Sequence, residues 1–228
     1  MLSKKPFVFA LGLCMLCSFL LTNAATMLKP LQQKNQAIDQ QKNILKVLGV
    51  IDTADGVDAD DIGHLYATHI QQKWVNKDGD IVDTETDHPI FLYMKKRQVE
   101  AFAIPIAGYG LWSMLYGYFS IEGDGETVRG ITFYQHGETP GLGAEVEAQW
   151  FQDNFVGKKI ASAEGEFTSI GIVRGKVKDV VPAGKAPHYV DGISGATITS
   201  KGVETFLKEG LKHYEPFSKR LRNKELVM

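Results

Sequence analysis

Read for apolar and polar positions, the chain opens on an unbroken apolar stretch. Residues 7–21, FVFALGLCMLCSFLL, are all apolar or small, and no charged residue occurs between there and Leu28. A helix needs about 20 such residues to cross a hydrocarbon core. The pattern then turns to helical spacing: Leu31, Ile38 and Leu45 stand seven apart, with Ile44 and Leu48 beside them. Residues 29–48 therefore predict a helical stalk that Gly49 ends. The acidic run 52–61, DTADGVDADD, predicts a solvated loop, because its spacing lacks the fixed glycine and terminal Glu of a calcium loop.

Further on, the apolar period shortens. Residues 69–75, 91–95 and 99–105 are rich in β-branched and aromatic residues between turn residues, which predicts strands. Residues 115–121 and 127–134 predict a hairpin around EGDGE. Leu142, Val146 and Trp150 at four-residue spacing predict a helix over 142–155. Residues 167–173 and 176–181 predict two short strands around Arg174-Gly175. Val203, Phe206, Leu207, Leu211 and Tyr214 mark the face of a final helix. The fold class is α+β: an N-terminal transmembrane helix over 1–28, a stalk over 29–50, then one domain over 51–228 with an antiparallel sheet and flanking helices.

Charge and cysteines narrow the setting. The formal net charge is -2, so no basic field invites nucleic acid. Lys4 and Lys5 precede the apolar stretch, which orients the N-terminus to the cytoplasm and the domain to the outside of a bacterial inner membrane. Two readings compete for this segment, a retained anchor and a signal cleaved near Thr22-Asn23-Ala24. The apolar run continuing to Leu28 and the helical pattern beyond it favour the anchor. Both cysteines, Cys14 and Cys17, lie within the segment, so the exported part offers no disulfide, thiolate metal site or cysteine nucleophile.

Three segments could carry chemistry. GYGLWS, 108–113, starts like a dinucleotide fingerprint but has Ser113 at the third glycine position and no βαβ unit around it. It reads as a glycine turn that buries Leu111 and Trp112, or as a loop meeting a flat ligand. HGETPGLGAEV, 136–146, runs from a strand end through a Pro-Gly turn, and its glycines let backbone approach a ligand closely. His136 has no second His or Cys at ligand spacing, so it reads as a solvated or hydrogen-bonded side chain rather than a metal ligand. DGISGATITS, 191–200, gathers Ser194, Thr197, Thr199 and Ser200 where the last helix begins, with Thr199 or Ser200 as its cap. Such a helix mouth suits a phosphate, but by themselves these residues favour a plain capped helix after a glycine turn.

Asp191-Gly-Ile-Ser-Gly-Ala-Thr197 with the trailing Thr-Ser resembles the flavinylation signature of the FMN-binding domain family. The likeness extends to GETPGLGAEV and the membrane helix, and so over most of the chain. It implies covalent FMN, held by a phosphoester to Thr197, which is then a modified residue rather than a catalytic one. Ser194, Gly195, Ala196, Thr199 and Ser200 would surround the phosphate. Glu138, Thr139, Gly141, Leu142 and Gly143, with Leu111 and Trp112, would border the ring. Lys176 would reach the phosphate or a ring oxygen, a solvated strand-edge lysine being the equal alternative. The family also implies a separate flavin transferase, since nothing in the motif is an obvious base for the Thr197 hydroxyl. Its partners are the other subunits of a membrane redox complex, through which the flavin relays electrons. GYGLWS is more similar to members from sodium-translocating NADH:quinone oxidoreductases, with Rnf-type electron-transport complexes as the alternative. An exported phosphate-ligand-binding protein and an anchored scaffold are the non-redox readings.

Overall fold

The structure is a computed structural model that describes residues 5–51, 57–95 and 98–225. Helix α1 (Lys5–Val47) runs through Pro30 without a break. Of the two compact units in the chain, one ends at Asp39 and the other begins at Gln40. In the first unit the apolar side chains face outward; Phe7 and Phe9 are both 72% exposed and Leu21 is 71% exposed. The helix is long and apolar enough to span a membrane, and that outward face suits lipid rather than water.

In the second unit the end of α1 is buried through Ile44, Leu45, Val47 and Leu48. Gly49 stops the helix in the left-handed region, at φ 63°. Val50 N–H reaches back to Leu45 C=O (2.9 Å) and Gly49 N–H to Lys46 C=O (3.0 Å), which satisfies carbonyls the helix leaves open.

The domain is built on a six-stranded antiparallel sheet in the order β2-β1-β3-β4-β5-β6. Its strands are β1 (Ile70–Val75), β2 (Ile81–Val82), β3 (Pro89–Lys95), β4 (Gln98–Tyr109), β5 (Met114–Glu122) and β6 (Val128–Gln135). Alternation assigns the faces. Phe102, Ile104 and Ile106 of β4 join Phe119, Ile121, Ile131 and Phe133 in the main core. Helix α5 (Thr197–Arg222) adds Val203, Phe206, Leu207, Leu211 and Phe217 to that core, and the Phe217 ring meets Phe102 edge-on at 5.0 Å. On the opposite face, small residues fall in register: Ala103 opposite Ser120, and Ser120 opposite Gly130. The trough they leave admits Val47, whose C=O accepts the buried Ser120 hydroxyl at 2.6 Å.

Several elements differ from the sequence expectation. Residues 142–155 form a 3₁₀ turn, Gly143–Glu147, and a short helix α3 (Gln149–Asp153), separated by extended backbone at Ala148. The break turns Phe151 and Phe155 into the core and leaves Trp150 44% exposed. Gln152 compensates by donating to Glu147 C=O at 3.1 Å. Residues 176–181 hold a single helical turn, α4 (Val177–Val180), instead of a strand, because the Asp191 carboxylate accepts Val177 N–H at 2.7 Å. Of 167–173, only β7 (Gly171–Ile172) is strand, paired in parallel with β8 (Tyr189–Val190). Within the acidic run, 52–56 lie outside the described residues. Ala59–His69 is helix α2, with Asp60 and Asp61 in the first turn, where carboxylates meet the positive end of the helix dipole favourably.

Candidate functional site

The domain brings the three singled-out segments together at the mouth of α5. The DGISGAT loop leaves β8, turns at Gly195 (φ 75°) and enters the helix at Thr197. Ala196 precedes the helix and supplies no side-chain cap, so the expected cap at Thr199 or Ser200 is replaced by an earlier start. The first helical bond is Ser200 N–H to Ala196 C=O, 3.0 Å. Backbone N–H groups ahead of it stay outside the ladder.

The four hydroxyls divide into two pairs. Thr199 and Ser200 are buried, at 1% and 5% exposure. The Thr199 hydroxyl donates to Glu138 at 2.7 Å, and Ser200 Oγ accepts Ile193 N–H at 3.3 Å. Ser194 and Thr197 are exposed, and Thr197 makes no side-chain hydrogen bond among the described residues.

Glu138 is 5% exposed and sits under the GYGLWS loop. It accepts the N–H groups of Trp112 (2.8 Å), Ser113 (3.1 Å) and Leu111 (3.2 Å), besides the Thr199 hydroxyl. Burial alone would raise its pKa; the four donors outweigh it and hold the carboxyl below its ordinary range. Nearby, His136 Nδ1 accepts Glu138 N–H at 3.2 Å, the hydrogen-bonded one of the two roles open to it from the sequence. Leu111 and Trp112 are not buried by their turn, being 46% and 71% exposed. The glycines of that segment serve close packing instead: a Cβ on Gly108 would meet Phe206 of α5 at 2.3 Å.

Between these segments opens a cleft of ≈ 830 Å³, within the range of small-ligand pockets. Leu111, Gly141, Lys176, Ser194, Gly195, Ala196 and Thr197 line it, all of them expected from the sequence. Leu142 stands against Gly195, where an added Cβ would meet it at 2.8 Å. Trp112 is exposed on the bordering loop, while Glu138, Gly143, Thr199 and Ser200 lie behind the cleft in the hydrogen-bonded layer. Thr139 holds the turn, its C=O accepting Leu142 N–H (3.1 Å) and Ala144 N–H (3.2 Å). Lys176 is tied to Asp191 at 3.0 Å. Burial pushes the Asp191 carboxyl up, but Val177 N–H and the Lys176 and Lys158 charges carry it below its usual range.

Sequence reasoning missed Arg174, Glu145 and Trp150, which also line the cleft. Trp150 Nε1 donates to Glu145 at 3.0 Å. Arg174 extends beside Gly175 (φ 95°) and makes no ion pair among the described residues. The Arg-Gly pair was visible in the chain, but only the fold carries it to Thr197; nothing local marked the Glu145–Trp150 pair.

The model of the FMN-binding domain family matches residues 110–212, a stretch that runs from the GYGLWS loop through the start of α5. Curated relatives extend the likeness to nearly the whole chain. The NqrC subunit of the Na(+)-translocating NADH-quinone reductase of Yersinia pestis is 32% identical, over 96% of this chain and 92% of that protein. Its counterpart in Vibrio alginolyticus is 33% identical, over 98% and 96%. A crystal structure of the counterpart from Parabacteroides distasonis, 35% identical, superposes with a TM-score of 0.71 over 84% of this chain and 96% of that one. Shewanella oneidensis NqrC, 23% identical, shares the fold with a TM-score of 0.67 over 84% and 99%. The chain belongs to the NqrC family of Na(+)-translocating NADH-quinone reductase subunits.

Proposed function

We propose that this chain is the membrane-anchored flavoprotein subunit of a sodium-translocating NADH:quinone oxidoreductase, with FMN joined to Thr197 by a phosphoester. The observation that carries the reading is the division of the hydroxyls. Thr199 and Ser200 are consumed by the fold, which leaves Ser194 and Thr197 exposed in a cleft of ligand size, without side-chain hydrogen bonds among the described residues; of these two the resemblance to the flavinylation signature assigns the phosphoester to Thr197. The residues present fit the group. Gly195 in the left-handed region leaves room beside the threonine, and Arg174 and Lys176 bring positive charge to a site for phosphate. Of the two, Arg174 is the cation left for the phosphate, since Lys176 already neutralises Asp191. Leu111, Trp112, Gly141 and Leu142 form an apolar border of the kind a flat ring system takes.

Attachment forms the Thr197 Oγ–P bond and breaks the anhydride of FAD, with AMP leaving. The DGISGAT motif itself holds no obvious base for the hydroxyl, so its proton goes to a separate flavin transferase. FMN, when bound, supplies one- and two-electron redox chemistry; the chain supplies its placement and electrostatics. The exposed apolar helix in residues 5–39 anchors the domain, oriented with the N-terminus in the cytoplasm and the flavin on the periplasmic side of the inner membrane. A covalent link keeps the cofactor occupied in a compartment that cannot replenish it. Held there by Thr197, FMN would supply electron relay between centres on the other subunits.

Thr197→Val tests the reading. Expressed with the transferase, wild-type protein fluoresces as a flavin on a denaturing gel, and peptide mapping places the added mass on Thr197. The variant is expected to fold normally, to carry no flavin, and to abolish electron transfer through the assembled complex. Flavin retained by the variant would refute the assignment.

A further inference from the structure

Glu138 has an exceptional setting for an acidic residue. It is almost wholly buried, yet its oxygens receive four donors from two distant segments: the N–H groups of Leu111, Trp112 and Ser113, and the hydroxyl of Thr199. Three successive backbone N–H groups turned onto one carboxylate form an anion-binding concavity. The socket admits nothing larger than glycine at its walls. A Cβ on Gly110 would stand 2.7 Å from Glu138 Oε1, and one on Gly143 would stand 2.5 Å from Oε2. The loop it grips projects Leu111 and Trp112 into the open, where little packing of their own fixes them. The helix it grips begins two residues earlier, at Thr197.

We propose that Glu138 is a positioning residue: its charge holds residues 111–113 as one wall of the cleft and registers that wall against the start of α5. This rests, for its flavin readouts, on the reading of Thr197 as the attachment site. The carboxylate does not face the ligand; it acts through the loop. Charge is required as well as shape. An ionised carboxylate is acceptor-only, whereas the amide of Gln would set an N–H₂ donor against N–H groups that also donate. The loop then loses at least one of its buried partners and loosens. The same charge sits beside the cleft and disfavours the extra electrons of a reduced flavin, so its removal makes the flavin easier to reduce.

Three variants, made in the full-length chain in detergent, test this. Hydrogen exchange is measured first on protein made without the transferase. In wild type the amides of residues 111–113 are protected. In Glu138→Gln their exchange speeds up at least tenfold, while the core amides of β4 and α5 keep their rates. On flavin-loaded protein, Glu138→Gln raises the fluorescence per flavin several-fold, as the aromatic wall stops quenching it, and moves the midpoint potential in the positive direction. Thr199→Val cuts the link to α5 alone, so loop protection persists but fluorescence rises; Thr199→Ser restores the wild-type value. Wild-type exchange at 111–113 together with wild-type fluorescence and potential in Glu138→Gln would overturn the proposal. If that variant unfolds, the Thr199 pair decides: equal fluorescence in Val and Ser variants overturns it, and a rise only in Val supports it. Wild-type protein without bound flavin refutes the attachment reading alone, and the exchange result still decides this one.

Discussion

Gly202 offers the sharpest test of how α5 is seated. A Cβ there would stand 2.2 Å from the carbonyl oxygen of Tyr109 and 3.2 Å from its carbon. Ordinary contact begins near 3.4 Å, and both partners are backbone, so no flexible side chain can yield. Gly202→Ala therefore forces the helix away from the end of β4. Overpacking of this kind costs about 1–3 kcal/mol, and backbone-on-backbone contact belongs at or beyond the upper end. Against that, alanine in a helix interior gains about 1 kcal/mol over glycine. The expected net loss is about 2 kcal/mol, or roughly 4–8 °C in Tm for a domain of this size. Gly210 in the same helix is the control, because a Cβ there meets nothing within 4 Å. Gly210→Ala should gain the full helix benefit, about 1 kcal/mol, and raise Tm by roughly 2–4 °C. Thermal unfolding of both variants by circular dichroism is the assay, with in-gel flavin fluorescence as a second readout. Displacing α5 also shifts Thr197 from the loop at Gly110, so flavin occupancy falls in Gly202→Ala alone. Two variants that both raise Tm would refute the close-packing argument.

Other outcomes follow from the same contacts. Ser120→Ala removes the buried hydroxyl that Val47 C=O accepts; a loss of about 1–3 kcal/mol in urea unfolding is expected, and a change below about 0.5 kcal/mol would show that the bond contributes little. Glu138 and Asp191 are both depressed in the folded state. Their stabilisation is therefore complete above the ordinary carboxylate range and is lost as pH falls through the folded values. Asp191→Asn should be less stable near neutrality and decline less on acidification from about pH 6 to about pH 3, where unfolded carboxylates titrate; parallel pH curves for variant and wild type would remove the linkage.

Features that depend on neighbouring residues were legible in the chain. An uncharged apolar stretch commits residues 7–28 to a membrane-compatible helix, and Gly49 stops the continuing helix because only glycine enters the left-handed region without strain. The central strands stood out by composition, and the DGISGAT run pointed to Thr197 only through its resemblance to a flavinylation signature, which leaves that residue's role a proposal. Features that depend on distant residues emerged only on folding. The break at Ala148 lets Phe151 and Phe155 reach a core that local helical spacing does not see. Residues 177–180 coil because Asp191, well downstream, caps their first N–H. Glu138 acts on groups 27 and 61 positions away, and those contacts consume a carboxylate and a hydroxyl that the motifs alone assign to the cofactor. Local pattern fixes backbone preference, since that is set by each residue and its near neighbours. Which polar groups remain free for a ligand is settled only when burial compels the others to find partners.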